Sequence, residues 1–206
     1  MNLVTVAVAA FAALLPITNP LGALAAFAGL TAQHERRQAR AEAIRTGIYV
    51  AAILAVFAVL GAAILRAFGI TLSALQIAGG LVVCHSGFSM LNPKPALSQD
   101  EQAHTATKQD VSFSPMALPL VAGPGAIGVV IALASRNQGL AATIGLVVGC
   151  LAIGLLVAVL LAVGAPLVER LGPTGVGALS RIMGFLILAI GVELLVHGLQ
   201  AAALFR

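Results

Sequence analysis

The chain has 206 residues, of which 60% are hydrophobic and only 9% are charged, and its mean hydropathy is +1.07. This composition lies outside the range of soluble globular proteins and within that of proteins that cross a membrane several times. The pI of about 9.8 does not indicate nucleic-acid binding, because the 11 Lys and Arg residues lie mostly between apolar stretches. We therefore expect an all-α membrane protein that is embedded in a lipid bilayer and does not bind nucleic acid.

The apolar runs predict six transmembrane helices, since one crossing needs about 20 residues. They fall at about 3–30, 45–66, 69–91, 112–135, 139–165 and 180–203. Residues 94–110 form a polar linker, which we expect to be cytoplasmic. It separates a first three-helix repeat, 1–93, from a second, 111–206. Because three is odd, the second repeat should enter the membrane inverted relative to the first.

A cluster rich in proline and glycine interrupts the first apolar segment, and a similar cluster interrupts the fourth. The clusters are Pro16-Ile-Thr-Asn-Pro-Leu-Gly-Ala23 and Pro119-Leu-Val-Ala-Gly-Pro-Gly-Ala126, and they lie 103 residues apart. Proline lacks a backbone N–H and glycine favours non-helical geometry, so helices 1 and 4 should be broken there. A second pair, Gln76-Ile-Ala-Gly-Gly80 and Arg181-Ile-Met-Gly-Phe185, recurs at an offset of 105 and supports the repeat.

Broken helices inside a membrane are typical of transporter binding sites, because the unpaired backbone must meet protein or a watery cavity. The half-helix after each break would point its positive N-terminal end inward and could hold a carboxylate. Unwound carbonyls could accept an ammonium group, and Thr18 and Asn19 offer side-chain hydrogen bonds. With Gly22, Gly123 and Gly125 leaving room in the wall, this chemistry suits a small zwitterion. The alternative is that the breaks are packing kinks without a ligand.

Three polar residues of the last helix are further candidates. Glu193 is the only acidic residue within a predicted crossing, where a charge costs on the order of 3 kcal/mol. His197 lies four residues later on the same face, so the pair could share a proton and couple transport to H⁺; a membrane-interface position for Glu193 is the alternative. Arg181 has either a specific partner, such as a substrate carboxylate, or a plain anchoring role. His85, in the third helix, could titrate, but a lone histidine within a membrane helix is more often hydrogen-bonded within the bundle, which is what we expect here.

The distribution of positive charge predicts the orientation. Eight Lys and Arg residues lie in or beside the first, third and fifth loops, against three at the alternate side. Because positive charge favours the cytoplasm, both termini should face outward. The eight are Arg36, Arg37, Arg40, Arg45, Lys94, Lys108, Arg170 and Arg181; the three are Arg66, Arg136 and Arg206.

Four stretches in this order resemble the MarC family of bacterial inner-membrane proteins over nearly the whole chain. They are Leu15-Pro-Ile-Thr-Asn-Pro-Leu-Gly22, Gln76-Ile-Ala-Gly-Gly80, Leu118-Pro-Leu-Val-Ala-Gly-Pro-Gly-Ala-Ile127 and Ser180-Arg-Ile-Met-Gly-Phe185. The resemblance implies six crossings with both termini outside, and transport of small neutral amino acids such as glycine and alanine. It also implies binding roles for the residues that match its motifs: Asn19, Pro20, Gly22, Gly123, Pro124, Gly125 and Arg181. Two positions depart from the pattern, since Gln76 stands where an Arg is usual and Glu193 where an amide is usual.

Together these features predict a secondary transporter of small neutral amino acids that works by alternating access, with export favoured by the resemblance alone. A non-transporting membrane scaffold is the alternative, and efflux of hydrophobic drugs is a weaker one, because the chain has no Trp and one Tyr. We find no catalytic, metal-binding or cofactor motif, so we expect neither an enzyme nor a cofactor. Small-residue helix faces permit a homo-oligomer without requiring one.

Overall fold

The computed structural model describes residues 2–91, 110–137 and 139–202. Within these ranges the chain contains helices and short connections but no strand, which confirms the all-α class. The helices are α1 (Leu3–Thr18), α2 (Pro20–Leu30), α3 (Arg36–Ala67), α4 (Leu72–Leu91), α5 (Ser112–Val121), α6 (Pro124–Arg136), α7 (Leu140–Val163) and α8 (Ala165–Ala201).

Four of the described helices are long and apolar enough to cross a membrane alone: α3, α4, α7 and the Thr174–Ala201 part of α8. The other four form two bent pairs, α1 with α2 at 45° and α5 with α6 at 61°. A bend of this size redirects a helix without reversing it, so each pair counts as one broken crossing. Counted in this way, the described helices give up to six crossings, and helices 1 and 4 are broken as the sequence predicts.

The first break lies at a single residue, Asn19, whose backbone is left-handed at φ 42° and ψ 61°. Asparagine tolerates this conformation better than most residues. Pro20 follows at the first position of α2, where its missing N–H costs nothing. The local sequence therefore ends one helix and begins the next within one residue.

The second break is wider. Pro115 and Pro119 remove two N–H donors from α5, and the backbone is extended at Ser114 and Leu118. The surviving bonds are wide turns, such as that from the Ala122 amide to the Ala117 carbonyl at 2.9 Å. The segment therefore reaches the break as an irregular helix rather than a regular one.

Two helices begin earlier than predicted. The second membrane helix, α3, begins at Arg36 rather than near 45, because its first turns are polar but still helix-favouring. Glu42 is buried there, 3.2 Å from the His34 imidazole and 3.0 Å from the Gln38 amide that donates to it. The last helix, α8, begins at Ala165 rather than near 180 and changes direction at Gly172, where φ is 62°. A criterion based on uncharged runs misses helical turns outside the apolar layer.

The helices pack with a two-fold pattern. The most extensive contacts join α3 with α7 and α4 with α8, the equivalent helices of the two halves. The α1–α7 contact is matched by that of α5 and α6 with α3, and α4 on α6 is matched by α2 on α8. This pattern is the one expected of two inverted repeats.

Glycines allow the central helices to approach closely. A Cβ at Gly80 would lie 2.8 Å from the Gly191 carbonyl oxygen, and one at Gly87 would lie 2.8 Å from that of Gly184. Within lipid the hydrophobic effect does not drive helices together, so close backbone packing of this kind stabilises the helix pair instead. The α4–α8 pair is therefore a tightly packed unit beside the breaks.

Candidate functional site

Both helix breaks open onto one cavity of about 950 Å³. The cavity lies between the breaks, the C-terminal half of α4 and the N-terminal half of the spanning part of α8, and it is open rather than enclosed. Its residues at the breaks are Ile17, Asn19, Gly22, Ala23, Ala26, Pro119, Leu120, Val121, Gly123, Pro124, Gly125 and Ala126. The two duplicated clusters, 103 residues apart in sequence, therefore meet in space.

The Asn19 side chain organises the first break. Its Oδ1 accepts a hydrogen bond from the Gly22 amide at 3.2 Å and so caps the N-terminus of α2. Its Nδ2 donates to the Met90 sulfur of α4 at 3.6 Å. A Cβ at Gly22 would collide with the Asn19 amide, so glycine is needed for this cap rather than to widen the cavity.

The second break leaves a different helix N-terminus. No side chain caps α6, which begins with Pro124 after Gly123. The first amides of α6, at Gly125 and Ala126, are therefore available where the helix dipole is positive. Gly125 also lets α6 approach α4, because a Cβ there would collide with the Val83 side chain. The two breaks are related by sequence but differ in chemistry.

A polar stripe on α4 forms a third wall, which the sequence analysis did not assign to the site. Val82, His85, Ser86 and Ser89 line the cavity, and their i, i+3, i+4, i+7 spacing puts them on one helix face. Ser86 donates to the Val82 carbonyl at 3.0 Å and Ser89 to the Ser86 carbonyl at 2.8 Å. This spacing of polar residues within an apolar helix was the available signal.

The environment of His85 differs from the one predicted. It is exposed, and it makes no hydrogen bond or ion pair within the described part of the chain, where the prediction was hydrogen bonding within the bundle. That prediction was wrong because the α4 face carrying His85 packs on neither α6 nor α8. Its imidazole faces the cavity instead.

Several predicted site residues lie elsewhere. Thr18 is fully buried and donates to the Leu14 carbonyl at 3.0 Å, and Pro20 is buried at the start of α2. Arg181 is exposed and does not line the cavity, although its neighbour Ser180 does. Of the predicted residues, those that do line it are Asn19, Gly22, Gly123, Pro124 and Gly125.

Glu193 and His197 of α8, the predicted proton-coupling pair, lie close to each other but away from the cavity. The Glu193 and His197 side chains approach to 3.3 Å, with exposed fractions of 67% and 39%. Neither lines the cavity. Among the described residues, no cluster of His, Cys, Asp or Glu could hold a metal ion.

Comparison with known proteins identifies the family. The sequence matches the MarC family, described as integral membrane proteins, over residues 4–203. The chain belongs to the MarC family. It is 35% identical over 200 residues to the inner membrane proteins MarC of Escherichia coli K12 and Shigella flexneri, covering 90% of this chain and 90% of each relative.

No solved structure matches the chain. Membership of the MarC family, the names of the relatives and the apolar helices together identify a multi-span protein of the inner membrane. In this MarC-family chain both of the duplicated proline- and glycine-containing clusters line the cavity.

Proposed function

We propose that this MarC-family protein is a secondary transporter of small neutral amino acids, of the glycine and alanine class. The observation that supports it is the convergence of both broken helices on one open cavity. Broken helices that meet between inverted repeats are the arrangement in which many transporters bind solute.

The cavity wall suits a zwitterion. No charged side chain lies among the described residues that line it, so a solute with net charge would have no counter-ion there. The free amides at the start of α6 would receive the carboxylate, and the carbonyls around the irregular end of α5 would receive the ammonium group. Glycine, alanine and proline in the wall let a small solute reach this backbone.

Alternating access would follow from the packing. The cavity lies against the C-terminal half of α4 and the N-terminal half of the spanning part of α8, and none of the described residues that line it lies in the opposite halves of these two helices. With the orientation that the positive charges predict, both termini outside, this is an inward-open state. Rocking of one repeat against the other would expose the breaks to the outside, and the family resemblance favours export.

Counterflow in proteoliposomes tests this proposal. We expect the purified protein to exchange labelled glycine and alanine saturably. Ser86→Phe should lower exchange, because Ser86 is exposed on the cavity wall and the larger ring would occupy part of the cavity that the solute uses.

Val59→Phe is the matched control. Val59 is exposed on α3 and outside the cavity lining, so the added ring should contact lipid and leave exchange unchanged. Absence of exchange by the folded wild-type protein for every small amino acid would refute the proposal. Co-purifying proteins in that case would favour a scaffold.

A further inference from the structure

The polar stripe of α4 is present in one repeat only. At the offset of 105 that relates Gln76 to Arg181, the counterparts of Val82, His85, Ser86 and Ser89 are apolar or glycine. These counterparts are Ile187, Ile190, Gly191 and Leu194. The breaks are thus duplicated, whereas the polar wall is not. The polar wall therefore gives the cavity hydrogen-bonding side chains that have no counterpart in the second repeat.

The orientation of α4 explains which face is left free. Gly80, Cys84 and Gly87 contact α8, and Gly79 and Val83 contact α6. The remaining face holds the polar His85, Ser86 and Ser89 beside the exposed apolar Leu81, Val82 and Phe88. The unpaired imidazole of His85 would be unfavourable against lipid, and here it borders a cavity large enough for water and solute.

The polar side chains around the cavity differ in how many hydrogen bonds they already make within the protein. The two serine hydroxyls already donate to carbonyls of their own helix. The Asn19 amide is engaged by Gly22 and Met90. The His85 imidazole has no protein partner within the described residues, so both of its nitrogens are available to a solute.

We propose that His85 contacts the bound solute and that its protonation sets the affinity of the cavity for the solute carboxylate. This inference rests on the proposed transport function. An imidazole changes charge between about pH 5 and 8. The imidazolium would donate a charge-assisted hydrogen bond to the carboxylate, which the neutral ring forms more weakly. Protonation of this residue, rather than of the Glu193–His197 pair, would link H⁺ to transport.

His85 has no other titratable group to compete with it in the described cavity wall. α1, α2 and α5 contain no charged or titratable residue. On the helices packed against α4, the described charged or titratable side chains all lie outside the cavity lining, and Cys84 on α4 itself faces α8. Those outside the lining are Arg136, Arg170, Arg181, Glu193 and His197.

The test is the pH dependence of the apparent KM for alanine in counterflow, with equal pH on both sides of the liposome membrane. Alanine stays zwitterionic over the range used. For the wild-type protein we expect KM to fall roughly tenfold between about pH 7.5 and about pH 5.5. His85→Gln should show a KM that does not change with pH, so that at the lower pH it exceeds the wild-type KM roughly tenfold.

Three further comparisons show whether the pH dependence of KM is specific to His85. His85→Asn repeats the measurement if the glutamine variant does not fold, and the wild-type profile needs no variant at all. His197→Gln should keep the wild-type pH dependence. A purely structural role for His85 would lower the maximal rate in its variants without flattening the KM profile.

The outcomes distinguish a failure of this inference from a failure of the transport proposal. Wild-type exchange with a flat KM profile, a pH-dependent His85→Gln variant, or loss of the dependence in His197→Gln would each overturn this inference alone. No wild-type exchange would overturn the transport proposal, and this inference with it.

Discussion

Asn19 performs two tasks that can be separated by substitution. Its backbone adopts the left-handed conformation between α1 and α2, and its side chain caps α2. Alanine should lose the cap, at about 1 kcal/mol, and also adopt the left-handed conformation at about 1 kcal/mol. Glycine should lose only a few tenths of a kcal/mol, because it tolerates that conformation. We therefore expect Asn19→Ala to be about 2 kcal/mol less stable than the wild type and Asn19→Gly to be nearly as stable.

Thermal unfolding in detergent measures this difference. The chain has no Trp, so unfolding is best followed with a fluorogenic thiol reagent that reacts with Cys150, which is fully buried in α7, in a Cys84→Ala background because Cys84 is only partly buried. Both variants remove the amide from the cavity wall, so both should weaken alanine counterflow despite their different stabilities. Equal stability of the two variants would contradict the left-handed backbone at residue 19.

The contributions of single residues were only partly readable from the sequence. Asn19, Gly22 and Gly125 were recognised because proline and glycine punctuate an apolar run. Thr18 was not resolved, because whether its hydroxyl faces a ligand or bonds back to Leu14 depends on the angle at which α1 ends. Glu42 was missed altogether, since a buried carboxylate at a helix start requires the His34 loop to fold over it.

At the scale of elements, a cluster at one end of the helix bundle joins α3 to the start of α5. Asp110 accepts hydrogen bonds from the Ser112 amide at 2.8 Å and from the Arg45 guanidinium at 2.9 Å. Thr46 donates to the Ser112 carbonyl at 3.2 Å, and the Tyr49 and Phe113 rings meet edge to face at 5.4 Å. These contacts fix the direction in which the irregular α5 leaves the linker.

The pKa of Asp110 predicts how this cluster responds to acid. Burial raises the pKa, but hydrogen bonds from Ser112 and the charge of Arg45 outweigh it, so the net pKa lies below the usual value. A depressed pKa in the folded state gives stability that is present above the unfolded value, about 3.9, and is lost as pH falls through the folded value. Because the pair is exposed, we expect at most about 1 kcal/mol.

The measurement is the melting temperature of the wild type and of Asp110→Asn from about pH 7 to about pH 3. The wild type should be the more stable at neutral pH, and the difference should shrink below about pH 4. Other carboxylates titrate in both proteins and cancel in the comparison. A constant difference across the range would contradict the assigned interaction.

Helix boundaries show where the sequence was informative about elements. Apolar length located the four unbroken spanning helices and both bent pairs, and proline spacing located both breaks, because these signals are local. The early starts of α3 and α8 were missed, because their first turns lie beyond the apolar layer. The polar face of α4 was overlooked for a different reason: its exposure to a cavity depends on how α6 and α8 pack on the other two faces.

At the scale of the whole molecule, basic residues gather at the end of the helix bundle toward which the cavity-lining half of α4 runs. Arg36, Arg37, Arg40 and Arg45 are exposed at the start of α3, beside Asp110. The cavity-lining parts of α4 and α8 run toward the same end, where the linker joins α4 to α5. The positive charges therefore predict that the cavity lies toward the cytoplasmic end of the bundle.

Cysteine labelling tests this orientation. In a background with Cys84→Ala and Cys150→Ala, Phe68→Cys places a thiol in the exposed turn between α3 and α4, and Gln33→Cys places one in the exposed turn between α2 and α3. A membrane-impermeant maleimide that reaches the periplasm of intact cells should label the first thiol. It should label the second only after the inner membrane is opened.

Ser89→Cys in the same background extends the test to the cavity. Because Ser89 lines the cavity near the linker end of α4, its thiol should be protected in intact cells and labelled from the cytoplasmic side. Added alanine should slow that labelling but leave Gln33→Cys unaffected, since bound solute occludes only the cavity. Periplasmic labelling of both Ser89→Cys and Gln33→Cys would mean that the molecule is inserted the other way, with the cavity open to the outside. Labelling of Ser89→Cys alone from the periplasm would instead mean that the outward-open state is the populated one in cells.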